Sequence, residues 1–369
     1  MSLILGIDIG GTGSRAALGD VGDAADHRGN AVSRPVIADS AGFVPRIVDQ
    51  IAGPRIEIGP GGSTVLHVVR DLLRSAADIW SERFSEVGGI GIGATGIASL
   101  AEDPAEALAE ISSEFGVPAV AAIDAVTAHL GALGGTGGAI SVLGTGAIAI
   151  AHPGPDEAGH WSAEWSRADG WGHLFGDRGG GAWLGRLGLE LALRTHDGVD
   201  ERGRALLEAA IRRFGPPASW PGQFYTRSDR AGLLAEFAVD IAAAAGGGDP
   251  ASADLLREAG MEAARSAVAA RAAHRGDASS TSAPADAVPR SVATRADNRA
   301  ADKPVRIALT GGVAAAGSHL VEGFRTEAAR LDPTITIVEP AGGPLDGALT
   351  LGHLGAGGKL SAQDRVIWA

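Results

Sequence analysis

The segment at residues 3–18, LILGIDIGGTGSRAAL, constrains the fold more than any other part of the chain. An apolar run leads into a glycine-rich turn and a second apolar run follows, which is the pattern of two strands joined by a tight turn. Alternation places Asp8 on the face opposite Leu5 and Ile7, near the turn end of a strand that we expect to be buried. A buried carboxylate is costly without a partner, so a hydrated metal ion, a base or backbone N–H groups should lie within its reach.

A second unit of the same kind occurs later in the chain, in the segment AISVLGTGAIAIA. The two turns share a Gly-Thr-Gly core and consist of Gly10, Gly11, Thr12 and Gly13 in the first unit and Gly144, Thr145 and Gly146 in the second. Glycines lack Cβ atoms, so successive backbone N–H groups can approach an anion such as phosphate. One such hairpin would need no ligand, because tight β-turns favour glycine anyway. Two equivalent units favour a duplicated module that binds phosphate.

Length and composition limit the class of protein. The chain has 369 residues, which suits two lobes of ordinary domain size, and 45% of them are apolar. Its net charge of -13 argues against nucleic acid or an anionic membrane as partner, since both are bound by dense Lys and Arg surfaces. The absence of cysteine excludes disulfides, thiolate zinc sites and cysteine-bound iron–sulfur clusters. With no leader-like segment at Met1 and no apolar run of membrane-spanning length, we expect a cytoplasmic protein.

The first part of the chain alternates strands and helices after an initial meander, which predicts a mixed sheet with helices on its faces. The elements predicted after the hairpin are a strand near 35–39, a helix over 63–80, a strand over 89–94, a helix over 104–115 and a strand over 118–123. The helix over 63–80 has apolar residues at helical spacing behind a Ser/Thr cap. We therefore place an N-terminal lobe at 1–123.

The second part of the chain repeats this order. Its predicted elements are a strand over 160–167, a helix in the latter half of 170–198, helices over 204–214, 230–245 and 252–273, a strand over 305–310, a helix over 314–331, a strand over 334–338 and a helix over 344–354. Residues 275–303 lack apolar periodicity and are interpreted as a mobile surface insertion. We predict a C-terminal lobe over 124–354 and a short peripheral tail over 355–369.

Several polar and glycine positions are candidates for a site, and each has a structural alternative. Asp124 ends a strand where one lobe passes to the next, which is where α/β proteins bind ligands, although an aspartate there is also a good helix N-cap. Trp171 and Asp177 lie in a glycine-rich approach to a helix, where they could instead fill the core and neutralise the helix terminus. Gly311 and Gly312 let backbone approach a ligand at a helix N-terminus, or simply make the turn.

Together these candidates are what phosphoryl transfer requires. Backbone N–H groups hold the phosphates, one carboxylate organises Mg²⁺ through water, and another accepts the proton of the attacking hydroxyl. A second lobe that closes over the reactants excludes water as a competing acceptor. The sequence contains no GxxxxGK[ST] loop, no HExxH motif and no GxSxG elbow that would favour another class.

The chain resembles the actin, Hsp70 and sugar-kinase superfamily and, within it, the group of N-acetylglucosamine kinases and BadF/BadG/BcrA/BcrD-type ATPases. GIDIGGTGSRAAL resembles the first phosphate motif, VLGTGAIA the second and IALTGGVA the adenosine motif, while GWGHLFGDRGGGAWLG is similar to the GWG-x-x-x-GDEGS signature of N-acetylglucosamine kinases. The resemblance implies an α/β fold of two RNase H-like lobes, with mixed sheets flanked by helices and a cleft between them. The lack of cysteine separates the chain from the iron–sulfur dehydratase activators of this group and from the zinc-binding ROK sugar kinases.

The resemblance also implies a role for each candidate. Asp124, within AAIDAVTAHLGA, falls on the catalytic aspartate of the family, and Asp8 falls on the residue that organises Mg²⁺. The phosphates of ATP contact the two glycine turns, and its adenosine contacts Gly311 and Gly312. The residues implied to contact the sugar are Thr95, Gly96, Asp124, Trp171 and Asp177. The implied reaction transfers the γ-phosphoryl group of MgATP to the 6-hydroxyl of N-acetylglucosamine.

Departures from the family pattern leave the sugar open. Arg178 and Gly180 replace the Glu and Ser of GDEGS, and Ala147 replaces a Ser that often follows the second Gly-Thr-Gly. The segment GPGGS contains no Asn to contact an N-acetyl group. Glucosamine, with an ammonium group near Asp177 or Glu164, and other hexoses therefore stay alternatives, as does a non-catalytic protein gated by ATP and sugar. Apolar helix faces in the second lobe could serve a homodimer as well as a core.

Overall fold

The computed structural model describes residues 3–11, 13–22, 43–56, 58–59, 62–100, 103–276 and 305–369. Its strands are β1 (Leu3–Gly10), β2 (Gly13–Asp20), β3 (Arg46–Gly53), β4 (Ile58–Gly59), β5 (Gly62–Ser63), β6 (Val87–Ala94), β7 (Ala119–Ile123), β8 (Gly138–Leu143), β9 (Ala147–His152), β10 (Ser166–Asp169), β11 (Val305–Thr310), β12 (Ile335–Ile337) and β13 (Ile367–Trp368). Its helices are α1 (Val65–Ile79), α2 (Ser81–Phe84), α3 (Ile97–Leu100), α4 (Pro104–Phe115), α5 (Asp124–Ala132), α6 (Gly181–His196), α7 (Arg204–Phe214), α8 (Trp220–Tyr225), α9 (Arg230–Gly246), α10 (Pro250–Gly276), α11 (Ser318–Leu331) and α12 (Pro344–Ala356).

Two mixed sheets with helices on their faces form the fold, as the sequence predicted. In the described residues, the first sheet has the order β13-β7-β6-β1-β2-β3 and the second the order β10-β9-β8-β11-β12. Each contains an antiparallel glycine hairpin, β1–β2 or β8–β9, whose first strand also pairs in parallel with a later strand. The duplicated module expected from the two Gly-Thr-Gly turns is therefore present as the start of each sheet.

The first sheet is held by apolar strands and by an amphipathic helix. Residues 3–9 of β1 are all buried, and α1 packs one apolar face, including Val69 and Leu73, into the same core. Helix α4 begins at the bounds predicted for it, because the side chain of Asp103 caps it and Gly116 (φ 66) ends it in the left-handed conformation. The strand predicted near 35–39 lies outside the described residues, and β3 pairs with β2 in the third position.

The last helix and strand lie on the first sheet although they come at the end of the chain. Helix α12 packs against α5, β1 and β6, and β13 pairs antiparallel with β7 with Ile367 buried. The sequence interpretation of 344–354 as part of the C-terminal lobe and of 355–369 as peripheral does not describe these contacts. Residues 345–352 of α12 are all buried, so the helix has no polar face that would have indicated which sheet it covers.

Two further elements differ from their predicted bounds. The strand expected over 160–167 is shifted to Ser166–Asp169 in the structure, and Trp161 and Trp165 before it stack on each other in the core at 5.5 Å between ring centroids. The helix expected from residue 314 begins at Ser318, after a 3₁₀ turn at Gly312–Ala315, because Gly317 (φ 139) interrupts the helical backbone. Among the described helices, none has the length and apolarity needed to cross a membrane.

Candidate functional site

Three candidate residues meet at one edge of the first sheet. Strands β1, β6 and β7 run parallel, so Asp8, Thr95 and Asp124 lie at or just beyond their carboxyl ends. The hydroxyl of Thr95 hydrogen bonds to the carboxylate of Asp124, and the charge of Asp8 acts on the same carboxylate. The sequence predicted that all three belong to a site, and the structure brings them together. Gly96 (φ 71) forms the turn after Thr95 and leads into α3.

The environment of Asp124 suits a proton acceptor. The pKa of its carboxyl is raised from 3.8 to about 6: removal from water is the largest cause and the nearby charge of Asp8 adds to it, while hydrogen bonds from Thr95 and from the Ala125 N–H partly offset the rise. At pH 7 the carboxylate is therefore ionised but more basic than an exposed aspartate. The best base for a proton transfer has a pKa near the working pH. Asp124 is also the first residue of α5, and no side-chain cap hydrogen bond starts that helix.

Asp8 has the basic partner that its burial requires. The guanidinium of Arg15 lies 2.7 Å from its Oδ2 atom, in a pair set by the register of β1 and β2. Burial raises the pKa of Asp8, and Arg15 partly offsets this effect. In the parts of the chain that the structure describes, no group of three or more His, Asp or Glu side chains could form a metal cage. One carboxylate still fits Mg²⁺, which usually keeps several waters and takes further ligands from phosphates.

The first glycine turn faces open space. Gly10 pairs with Gly13 at the end of the β1–β2 hairpin. A Cβ atom added to Gly11 or Gly13 would meet nothing within 4 Å, so a ligand can approach the backbone there. Thr12, which the sequence also assigned to phosphate binding, lies outside the described residues.

The second glycine turn is docked on the start of helix α6. The carbonyl groups of Gly144 and Thr145 accept hydrogen bonds from the N–H groups of Gly181 and Ala182 at 2.8 and 2.9 Å. Within the turn, the N–H of Gly144 donates to the carbonyl of Gly146 at 2.9 Å. The first residues of α6 thus fix the turn through backbone hydrogen bonds. The sequence analysis did not predict this contact.

Asp177 and Trp171 occupy different environments. A Cβ atom added to Gly146 would lie 2.4 Å from Oδ2 of Asp177, so this carboxylate covers the second glycine turn. Burial raises the pKa of Asp177, while N–H groups of Gly172 and Ala147 that donate to it lower the pKa in part. Trp171 is 64% exposed with the guanidinium of Arg167 at 4.7 Å from its ring centroid, so it is not a core residue. A contact of either side chain with a sugar stays a prediction.

Gly311 lies where only glycine fits. Its φ is 98°, and an added Cβ atom would lie 2.3 Å from the carbonyl oxygen of Leu143, the last residue of β8. Beside it is a cavity of about 300 Å³, whose walls include Leu309, Phe324 and Glu339. Gly312 begins the 3₁₀ turn next to this cavity. The adenosine motif of the sequence therefore borders a concave space whose walls carry both apolar and polar side chains.

A family model described as the BadF/BadG/BcrA/BcrD ATPase family matches residues 5–350. The chain belongs to this family. No curated protein matches it. The match spans both glycine turns, Asp124 and the adenosine motif, so it covers every candidate named above.

Solved structures that resemble this member of the BadF/BadG/BcrA/BcrD ATPase family show its fold. A provisionally named N-acetylglucosamine kinase from Chromobacterium violaceum is 23% identical with a TM-score of 0.56, over 95% of this chain and 99% of that one. Another from Porphyromonas gingivalis is 17% identical with a TM-score of 0.59, over 95% and 98%. A ROK family glucokinase from Streptomyces griseus, in complex with glucose and AMPPNP, is 19% identical with a TM-score of 0.50, over 95% and 99%. The fold is that of actin- and hexokinase-type sugar kinases.

Two charged residues of this family member escaped the sequence interpretation. Arg15 could have been found, because a tight turn between Gly10 and Gly13 places residues 8 and 15 opposite each other. Asp169, whose carboxylate accepts hydrogen bonds from the N–H groups of Asp177 and Arg178, could not, because its contacts depend on the path of a glycine-rich loop.

Proposed function

We propose that this chain is an ATP-dependent sugar kinase that transfers the γ-phosphoryl group of MgATP to the 6-hydroxyl of an amino sugar, with N-acetylglucosamine as the first candidate. The observation that carries this proposal is the carboxylate of Asp124, whose pKa is raised to about 6 beside Asp8 and Thr95. Membership of an ATPase family supports the use of ATP. The sugar-kinase fold supports a small polyol as acceptor.

The roles of the chain's own residues follow from their contacts. Asp124 accepts the proton of the sugar hydroxyl, and Thr95 orients that carboxylate through its hydrogen bond. Asp8 would hold the hydrated cation through its carboxylate, and Arg15 adds positive charge at the same edge of the sheet. Bound Mg²⁺ would neutralise charge on the phosphate oxygens.

The glycine positions account for the rest of the nucleotide. Backbone N–H groups of the two glycine turns are assigned to the phosphates: no side chain covers Gly11 or Gly13 of the first turn, while at the second turn the carboxylate of Asp177 lies over Gly146. The cavity beside Gly311 takes the adenosine, since apolar residues of its walls such as Leu309 and Phe324 suit a purine ring and its volume of about 300 Å³ suits a group of that size. Trp171 and Asp177 are assigned to the sugar side.

A coupled assay of ADP release tests the reaction. Purified protein with MgATP is compared without sugar and with N-acetylglucosamine, glucosamine or glucose. We expect sugar-stimulated ADP release, with the largest kcat/KM for an amino sugar. Preference for glucosamine would move the proposal to its first alternative, which the lack of an Asn in the segment GPGGS favours. Binding of ATP and sugar without turnover would instead support a gated binding protein.

Replacement of Asp8 tests its assignment to the cation. We expect Asp8→Asn to raise the Mg²⁺ concentration for half-maximal activity roughly 10-fold or more, the scale for losing an oriented partner of a metal. Asp20→Asn is the matched control, because Asp20 lies at the other end of the same hairpin and pairs with Arg46 at 3.6 Å. An unchanged Mg²⁺ dependence in Asp8→Asn, with a folded protein, would contradict the assignment.

A further inference from the structure

The loop that connects β10 to α6 has an unusual backbone. Among the described residues, the non-glycine residues with positive φ are Asp169 (62°), Asp177 (55°) and Arg365 (57°), and the first two enclose this loop. Gly170 and Gly172 are also left-handed, at 74° and 85°. Left-handed backbone is unfavourable for residues with a Cβ atom, although aspartate tolerates it better than most. Such conformations persist only where surrounding contacts impose them, and they are concentrated at functional sites.

The carboxylate of Asp169 imposes this conformation. Its side chain is 4% exposed, and each oxygen accepts one backbone hydrogen bond: Oδ1 from the N–H of Asp177 and Oδ2 from the N–H of Arg178, both at 2.8 Å. A guanidinium nitrogen of Arg178 lies 3.8 Å from Oδ1. Hydrogen bonds to an ionised carboxylate are stronger than those between neutral groups. Asp169 therefore fixes the backbone of Asp177 across the whole loop.

The contact continues from Asp177 to the second glycine turn. The carboxylate of Asp177 covers Gly146 and accepts hydrogen bonds from the N–H groups of Gly172 and Ala147. Its position depends on the left-handed φ that Asp169 holds. Asp169 thus holds Asp177, and the carboxylate of Asp177 contacts the turn that is assigned to a phosphate of ATP.

The carboxylate of Asp169 also restrains the segment that carries Trp171. A Cβ atom added to Gly176 would lie 2.2 Å from Oδ1 of Asp169 and 2.9 Å from Cβ of Trp171, so these groups pack without space for a side chain. The segment assigned to the sugar and the turn assigned to phosphate are therefore held by one buried aspartate.

We propose that Asp169 is a positioning residue for nucleotide binding, which acts by holding Asp177 against the turn at Gly144, Thr145 and Gly146. This inference rests on the proposed function for its ligand, but its test does not require turnover. Loss of the Asp169 charge frees Asp177 to leave Gly146 and the N–H of Ala147, so this side of the turn loses its contact while α6 still holds the carbonyl groups of Gly144 and Thr145. A role in loop stability alone would instead lower the stability of the fold and leave the affinity of the folded protein for nucleotide unchanged.

Calorimetric titration with MgADP, without sugar, tests the proposal. Asp169→Asn keeps the shape of the side chain but removes the charge and one acceptor oxygen. We expect its Kd for MgADP to rise roughly tenfold, the scale for losing hydrogen bonds to a charged group. Asp200→Asn is the matched control, because Asp200 accepts the N–H of Arg202 at 3.1 Å, its side chain is 13% exposed and it lies outside the site. A wild-type Kd in folded Asp169→Asn would overturn the proposal.

A double-mutant cycle with Asp177→Asn separates positioning from stability. If Asp169 acts through Asp177, the double variant should have the Kd of the weaker single variant, whereas multiplied effects would contradict action through Asp177. If Asp169→Asn does not fold, Asp169→Glu keeps the charge and should bind MgADP more weakly than wild type, because its longer side chain displaces the Asp177 backbone; wild-type affinity would overturn the proposal. Wild-type protein that binds MgADP but phosphorylates no sugar would refute the kinase proposal and leave this one standing.

Discussion

Asp124→Asn should lower kcat by about 10²-fold or more, which is the usual scale for the loss of a general base. The asparagine keeps the size of the side chain and its hydrogen bond with Thr95, but it cannot accept the proton of a hydroxyl. Sugar binding should be largely retained, because the amide still reaches the same space. Steady-state kinetics with saturating MgATP and a separate titration of the sugar measure the two effects. Wild-type turnover in this variant would contradict the role of Asp124.

The pH dependence of kcat/KM tests independently whether Asp124 is the base. It is measured for wild type and for variants of Thr95 and Asp8, the two residues next to Asp124. With Asp124 at a pKa of about 6, kcat/KM should fall about tenfold for each pH unit below 6. Thr95→Val removes a hydrogen bond that lowers this pKa, so its inflection should move to higher pH. Asp8→Asn removes a charge that raises it, so its inflection should move to lower pH. Shifts in the same direction would mean that the inflection belongs to another group.

The raised pKa of Asp124 also predicts how the stability of Asp124→Asn differs from that of wild type, and this distinguishes a loss of catalysis from a loss of folding. The folded pKa of about 6 lies above 3.8, so the folded state holds the Asp124 proton more tightly than the unfolded state does. The tighter binding of this proton stabilises the wild-type fold below about pH 4, and the stabilisation is lost as the pH rises through about 6. Asp124→Asn, which carries no charge, should therefore have a higher Tm than wild type at pH 8.

Local patterns predicted the parts of the site that lie within one element. The hairpins followed from apolar alternation around glycines, and Asp124 followed from its place between a strand and a helix, so their positions in the fold were available from the sequence. The meeting of Asp8, Thr95 and Asp124 needed one further rule, that parallel strands end at a common edge. The resemblance to known motifs assigned the roles, which remain predictions for each residue.

The parts that could not be predicted depend on contacts between distant segments. The link from Asp169 to Asp177 requires two left-handed aspartates, and no periodic pattern specifies them. The position of α12 was hidden because its residues are buried on every side. Trp161 and Trp165 resembled a strand in the sequence, while in the structure they stack on one another in the core. In each case tertiary packing overrides a local preference.

Gly347→Ala should lower the free energy of unfolding by about 1–3 kcal/mol, the usual range for overpacking a tight core. Gly347 lies in α12 where this helix crosses α5, and an added Cβ atom would lie 1.7 Å from the carbonyl oxygen of Thr127. The atom that it meets is backbone, so relief requires movement of α5. In an isolated helix, alanine is more favourable than glycine by about 1 kcal/mol. The variant is destabilised because the cost of the backbone clash exceeds this gain.

The crossing of α12 and α5 also links stability to the site, because Asp124 is the first residue of α5. A shift of α5 should therefore lower kcat in the folded fraction of Gly347→Ala as well as its resistance to urea. Gly357→Ala is the matched control: Gly357 follows the same helix, its φ is -84°, and the nearest atom to an added Cβ is a flexible Lys359 carbon at 3.4 Å. We expect the free energy of unfolding of this control to lie within about 0.5 kcal/mol of the wild-type value. Equal urea midpoints for the two variants would show that α5 and α12 are not held by backbone contact at Gly347, and that the position of Asp124 is set from the first sheet alone.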